Sequence, residues 1–138
     1  MRLGRQLRPT DCAALADRID SVMMGVAEDV DYSRLRMSLA TGGQAMGHHA
    51  ATLDYQKIQG LEHEPLFQRY MRSPLVRHAA AHALGAHAAV AVYRAMFFNK
   101  PSAELSGGNL LDWHQDLYST LHPNPAITLC AQAPSPPA

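Results

Sequence analysis

The sequence predicts an α+β domain with helices first and strands last, and three observations carry that expectation. A polar residue followed by proline occurs twice, at Glu64-Pro65 and Ser73-Pro74, and proline suits the first helical position because its missing N–H has no partner to lose there. From about Ala89 the apolar period changes from 3.6 residues to 2, which marks a passage from helix to strand. Beyond it, apolar runs broken by glycine and proline continue to Cys130.

The first helix is expected with Thr10 or Asp11 as N-cap. Leu15, Ile19, Val22 and Met23 recur at helical spacing and Gly25 offers a stop, so the helix has an apolar stripe that must pack on another element. From Val26 to Thr52 the pattern dissolves into Gly42-Gly43, Gly47 and His48-His49, the expectation being a long loop that is functional or mobile. Met23-Met24 read as core fillers. Thr52 to Gly60, with Tyr55-Gln56-Lys57-Ile58-Gln59, is expected as a short strand ending at a glycine.

A helix from Pro65 to about Met71 follows. A second begins at Pro74, and its Leu75, Val76, Ala79, Ala80, Ala83 and Leu84 form one apolar stripe that stops at Gly85. Ala89 to Phe98 is β-branched and aromatic, and as a strand it would place Val90, Val92, Arg94, Met96 and Phe98 on one face. Pro101 to Asn109 is expected as a loop, Leu110 to Leu117 as a strand, His122-Pro123-Asn124-Pro125 as a turn, and Ala126 to Cys130 as one more apolar run. Residues 131–138 hold three prolines and no periodicity, which predicts a disordered tail after a single domain over residues 1–130.

Composition narrows the function. A chain of 138 residues that is 47% hydrophobic supports one domain with its own core. Its formal charge of 0, with basic residues scattered rather than striped, leaves no footprint for nucleic acid or an anionic membrane. Cys12 and Cys130 form no CxxC, a usage that suits a reducing cytoplasm. Met1 to Arg8 lacks the apolar run of a signal peptide. Ala79 to Phe98 is rich in alanine, but His82, His87 and Arg94 within it argue against a membrane span.

The chemistry centres on Trp113-His114-Gln115-Asp116. On a strand, residues i and i+2 point to one face, so His114 and Asp116 converge while Gln115 turns away. With a further imidazole this pair would make the 2-His-1-carboxylate triad of non-haem Fe(II) oxygenases. A chain this rich in His and Asp produces such a tripeptide by chance about as often as not, so the pair alone decides little.

Three blocks in order carry more weight: Tyr55-Gln56-Lys57-Ile58-Gln59-Gly60, then Tyr93-Arg94-Ala95-Met96-Phe97-Phe98-Asn99-Lys100-Pro101, then Trp113-His114-Gln115-Asp116. Together they resemble the phytanoyl-CoA dioxygenase family over roughly Thr52 to Thr128. The resemblance implies a double-stranded β-helix, or jelly roll, with helices packed outside it, which uses Fe(II), 2-oxoglutarate and O₂ to hydroxylate a small organic substrate. By that likeness His114 and Asp116 would be the first two iron ligands. Lys57 matches a lysine near the 2-oxoglutarate carboxylates, where an ammonium suits an anion, and Met96 matches a position lining the same pocket.

The chain departs from the family pattern in two places. Asp112 stands where the family usually has proline ahead of the W-H-Q-D motif, and Cys130 stands where it has tryptophan. The second iron-binding histidine and the arginine that clamps 2-oxoglutarate, which follow in the family, have no counterpart in the proline-rich tail. The expectation is therefore a barrel left incomplete by a frameshift or truncation, with little or no turnover from this chain alone. Only His122 lies beyond Asp116 as a replacement ligand, and on a straight strand it would sit roughly 26 Å from His114.

The remaining candidates point away from chemistry. His78 and His82 have i, i+4 spacing but no glutamate between them in an HExxH, and they lie on the polar side of their helix. His48-His49 belong to the glycine loop. Arg94 shares the face of Met96 and is either buried with a partner or an edge residue. Two other functions stay in view. One is a non-catalytic remnant or interaction module that self-associates by pairing its open sheet edge with another chain. The other is a bare metal-binding domain using His114, Asp116 and loop histidines.

Overall fold

The structure, a computed structural model, describes residues 7–39 and 44–99. The strand and metal pair expected around His114 and Asp116, the turn at His122, the run to Cys130 and the tail over 131–138 lie outside the described residues. Within them the architecture is α+β: three α-helices and a four-stranded antiparallel sheet whose strands lie in the order Gln44–Met46, Arg36–Leu39, Tyr55–Gln59, Met96–Phe98.

Helix α1 spans Pro9–Met23 and starts earlier than its sequence suggests. Pro9 takes the first helical position and Arg8 the N-cap, so the helix begins without a side-chain cap from Thr10 or Asp11. Its C-terminus is a Schellman motif. Gly25, at φ 72°, donates to the Val22 carbonyl and Val26 to that of Ser21, which satisfies carbonyls the helix leaves open. Ile19, Val22 and Met23 are buried as expected, whereas Met24 faces solvent and is no core filler.

The expected loop from Val26 to Thr52 instead contains β1 (Arg36–Leu39) and β2 (Gln44–Met46). Pairing runs Arg36 with Met46, Met37 with Ala45, and Ser38 with Gln44. Strand β3 (Tyr55–Gln59) lies beside β1, with Arg36 opposite Gln59, Met37 opposite Ile58 and Ser38 opposite Lys57. The register then shifts so that Leu39 meets Tyr55 and Gln56 has no partner in β1. This bulge re-aims Tyr55. Without it, Tyr55 would share the face of Lys57; with it, Tyr55 is fully buried among the core residues.

Helices α2 (Pro65–Met71) and α3 (Pro74–Leu84) begin and end where the proline and glycine signals place them. Glu64 caps α2 by accepting from the N–H groups of Leu66 and Phe67, and Ser73 Oγ accepts from Val76 N–H. Of the α3 stripe Ala79 is buried, while Ala83 faces solvent. No helix among the described residues is long and apolar enough to cross a membrane.

The strand expected over Ala89 to Phe98 shrinks to β4, Met96–Phe98. A strand persists only where its backbone groups find a ladder. β3 ends at Gln59, where Gly60 at φ 95° turns the chain away. Just ahead of β4, the Ala95 N–H donates to the Glu62 carboxylate and the Ala95 carbonyl accepts from Leu61 N–H. Residues 89–94 therefore run irregularly, leaving Val90, Val92 and Tyr93 exposed.

All the apolar packing is on one side of the sheet. Met37 and Ile58, opposed across β1 and β3, are fully buried with Ile19, Val22 and Met23 of α1, and with Leu35 and Leu61. Phe97 extends that row from β4, and Phe67 joins it from α2. By the alternation of strands, Arg36, Ser38, Lys57, Gln59, Met96 and Phe98 belong to the opposite face.

Candidate functional site on the sheet face

Lys57 and Met96, singled out as cosubstrate-pocket residues, meet on that face. β3 and β4 pair with Lys57 opposite Phe98 and Gln59 opposite Met96, so Lys57 and Met96 are diagonal neighbours, a relation with a separation of roughly 7–8 Å. The Lys57 ammonium lies 5.0 Å from the centre of the Phe98 ring, within cation–π range. Met96 is exposed.

The electrostatics of this face are one-sided. Lys57 is half-buried, and its pKa falls below the ordinary lysine value through burial first, then through the like charges of Arg94 and Arg36. Arg94 donates from Nη1 to Oε1 of the buried Gln59 at 3.0 Å. It is thus an exposed residue anchored on a buried amide, which settles the choice left open by its sequence position. Arg36 and Gln59 escaped the sequence reading. For Arg36 the signal was faint, a four-residue alternation Arg36-Met37-Ser38-Leu39 too short to mark a strand.

Asn99 is the described member of the Asn99-Lys100-Pro101 block. Its backbone N–H donates to the Gln56 carbonyl and its Nδ2 to the Leu53 carbonyl, each at 2.9 Å. The end of β4 is thereby tied to the start of β3, which fixes the register that brings Met96 beside Lys57. Asn99 contributes position rather than chemistry.

The described histidines are not gathered into a metal site. His48 is half-buried, its Nε2 2.9 Å from the Met23 carbonyl and its ring against those of Tyr32 and Tyr55. It is a packing residue of the segment between β2 and β3, and the backbone N–H groups of His49 and Ala50 both donate to Tyr55 Oη. His78 and His82 are exposed on α3. Among the described residues no group of three His, Cys, Asp or Glu side chains could hold a metal ion, and Cys12 is a free thiol. The face can thus bind an anion through Lys57 and its neighbours, while the ligands assigned to iron, His114 and Asp116, lie outside the described residues. No family model, curated protein or solved structure matches the chain.

Proposed function

We propose that the chain carries the 2-oxoglutarate side of an Fe(II)/2-oxoglutarate-dependent dioxygenase of the phytanoyl-CoA dioxygenase type, whose reaction is hydroxylation of a small organic substrate. The observation that carries this reading is the meeting of Lys57 and Met96 on one sheet face, opposite the helix-covered face, from blocks about forty residues apart in sequence. The resemblance gives both residues a place at one pocket, and their shared face agrees with that reading.

The residues fit the cosubstrate. A half-buried ammonium, with no carboxylate bonded to it among the described residues, suits a dianion such as 2-oxoglutarate, whose binding would offset the cost of burying that charge. For iron, the imidazole of His114 and the carboxylate of Asp116 are donors of the type Fe(II) takes. When bound, iron, 2-oxoglutarate and O₂ supply the oxidising power for C–H hydroxylation; this chain's own residues bind and orient. The family's second histidine and arginine clamp have no counterpart in the sequence, so the 138 residues alone should show little or no turnover.

Binding rather than turnover is the direct test. Titrated anaerobically, Mn(II) should lose affinity in His114→Ala, and 2-oxoglutarate should lose affinity in Lys57→Ala; unchanged values in both variants would sink the reading. Fe(II)-dependent succinate formation that vanishes in His114→Ala would correct the expectation of inactivity.

A second reading rests on a separate observation. Met46, Met96 and Phe98, at 56%, 40% and 54% exposure, line the face away from the core, an arrangement suited to cover by a second chain. That interaction module would self-associate, and a monomer by light scattering ends it.

A further inference from the structure

The face that carries Lys57 also carries two arginines gathered around one glutamine. Arg36 stands directly opposite Gln59 in the β1–β3 ladder. Arg94 reaches Gln59 from the other side, just ahead of β4, and donates to its Oε1 at 3.0 Å. Gln59 is only 7% exposed, so the amide that fixes Arg94 is itself held by the sheet. Two strand spacings, about 10 Å, separate β1 from β4 across β3. Arg36, by its place in the ladder, and Arg94, by its hydrogen bond, are thus the two arginines next to Gln59 on this face.

Neither arginine is compensated within the described residues. Arg8, Arg18 and Arg34 each pair with a carboxylate at 3.2 Å or less; Arg36 and Arg94 pair with none among the described residues, as do Arg69, Arg72 and Arg77, and only Arg36 and Arg94 adjoin Gln59. Like charges brought together without a counter-ion repel and cost stability. The field they create reaches Lys57, whose proton affinity both arginines lower. Guanidinium forks are the side chains best shaped to hold a carboxylate or phosphate through two parallel hydrogen bonds, while an ammonium acts as a point charge.

We propose that Arg36 and Arg94, flanking Gln59, form an oxyanion subsite separate from Lys57 that holds the carboxylate or phosphate group of the molecule acted upon. What that group belongs to rests on the dioxygenase reading; the subsite itself does not. Lys57 serves the cosubstrate and the arginine pair selects an acidic substrate, so the hydroxylated compound carries a negative charge. A neutral hydrocarbon or a cation would gain nothing from either guanidinium group.

The full chain titrated with inorganic phosphate, acetate and 2-oxoglutarate by calorimetry tests this. Arg36→Gln and Arg94→Gln should each weaken phosphate or acetate binding at least tenfold and leave 2-oxoglutarate within threefold, while Lys57→Gln should do the reverse. Whichever of phosphate and acetate binds more tightly names the acid group. Arg36→Lys and Arg94→Lys, which keep the charge without the fork, should recover part of the affinity, and they guard against variants that fail to fold. Phosphate and acetate affinities unchanged in both glutamine variants would overturn the subsite. So would equal losses for all ligands in all three neutral variants, or binding that disappears at physiological salt. Arginine-dependent phosphate binding with no 2-oxoglutarate binding by the unaltered chain would keep the subsite and refute the dioxygenase reading.

Discussion

Arg18 joins α1 to the start of α2 through Glu64: its Nε donates to Glu64 Oε1 at 2.9 Å, while the other oxygen of the same carboxylate caps the Leu66 and Phe67 N–H groups. The same guanidinium also holds Asp29 through two bonds of 2.8 and 2.9 Å. Glu64 is 6% exposed, so it survives as a buried charge only because both oxygens are occupied. Glu64→Ala should cost about 2–4 kcal/mol, the sum of a broken buried pair and a lost cap. Glu64→Gln has one acceptor oxygen where Glu64 has two, so it keeps either the cap or the Arg18 contact, and should cost about half as much. Urea midpoints of the two variants check the ratio.

Tyr55 has a comparable double role. Its Oη accepts from the His49 and Ala50 N–H groups, both at 2.9 Å. Tyr55→Phe keeps the ring in the core and leaves two amides unpartnered, at a cost of about 2 kcal/mol. Hydrogen exchange should locate the effect: the amides of His49 and Ala50 lose protection, and those of β3 keep it.

Gly60 ends β3 at φ 95°, and a Cβ there would fall on the Arg34 carbonyl oxygen. The left-handed backbone alone costs a side-chain-bearing residue roughly 1–2 kcal/mol, and the carbonyl cannot move without disturbing β1. Gly60→Ala should therefore destabilise by about 2–3 kcal/mol. Gly85, also at positive φ but with open space around it, should show only the conformational part in a parallel Gly85→Ala measurement.

Lys57 gives a dependence on pH. Burial, then Arg94 and Arg36, hold its folded pKa below the ordinary 10.5. Between the lowered value and 10.5 the unfolded chain binds more protons than the folded one, so stability rises with pH across that window. Below it, the charged ammonium is a constant cost. Lys57→Met should be more stable than the unaltered chain at neutral pH, and the difference should shrink as pH approaches 10.5. Unfolding midpoints of the two proteins over that range give the comparison, and a difference independent of pH would refute it.

Where the sequence carried local, self-sufficient signals, the fold was legible. Proline at the first helical position with Glu64 or Ser73 before it fixes α2 and α3 to the residue, because the cap is made by neighbours in the chain. Tyr55–Gln59 was legible as a strand for its composition. Strands β1 and β2 were not, because four and three residues carry too little alternation, and Met37 alone marks the inward side of β1. Ala89 to Ala95 failed in the opposite sense: its alternation is good, but a strand needs a partner, and Gly60 withdraws β3 before those residues arrive. Of the candidate site, Lys57 and Met96 were legible only by resemblance. Arg36 and Gln59 become neighbours through a register that no short window contains.

The pairing of β3 with β4 closes across the whole helical excursion from Gly60 to Ala95. β1 and β3 are separated by far less chain and can meet first. Loop-closure entropy grows with length, and distant pairings form late in folding. With three residues and one described neighbour, β4, like β2, is a strand that opens readily in the native state. Lys57 and Met96 sit on opposite sides of that seam. Within the described sheet the face proposed to bind anions is thus assembled late, and a ligand bridging β3 and β4 would act as a clasp, slowing the departure of β4 more than it speeds its arrival.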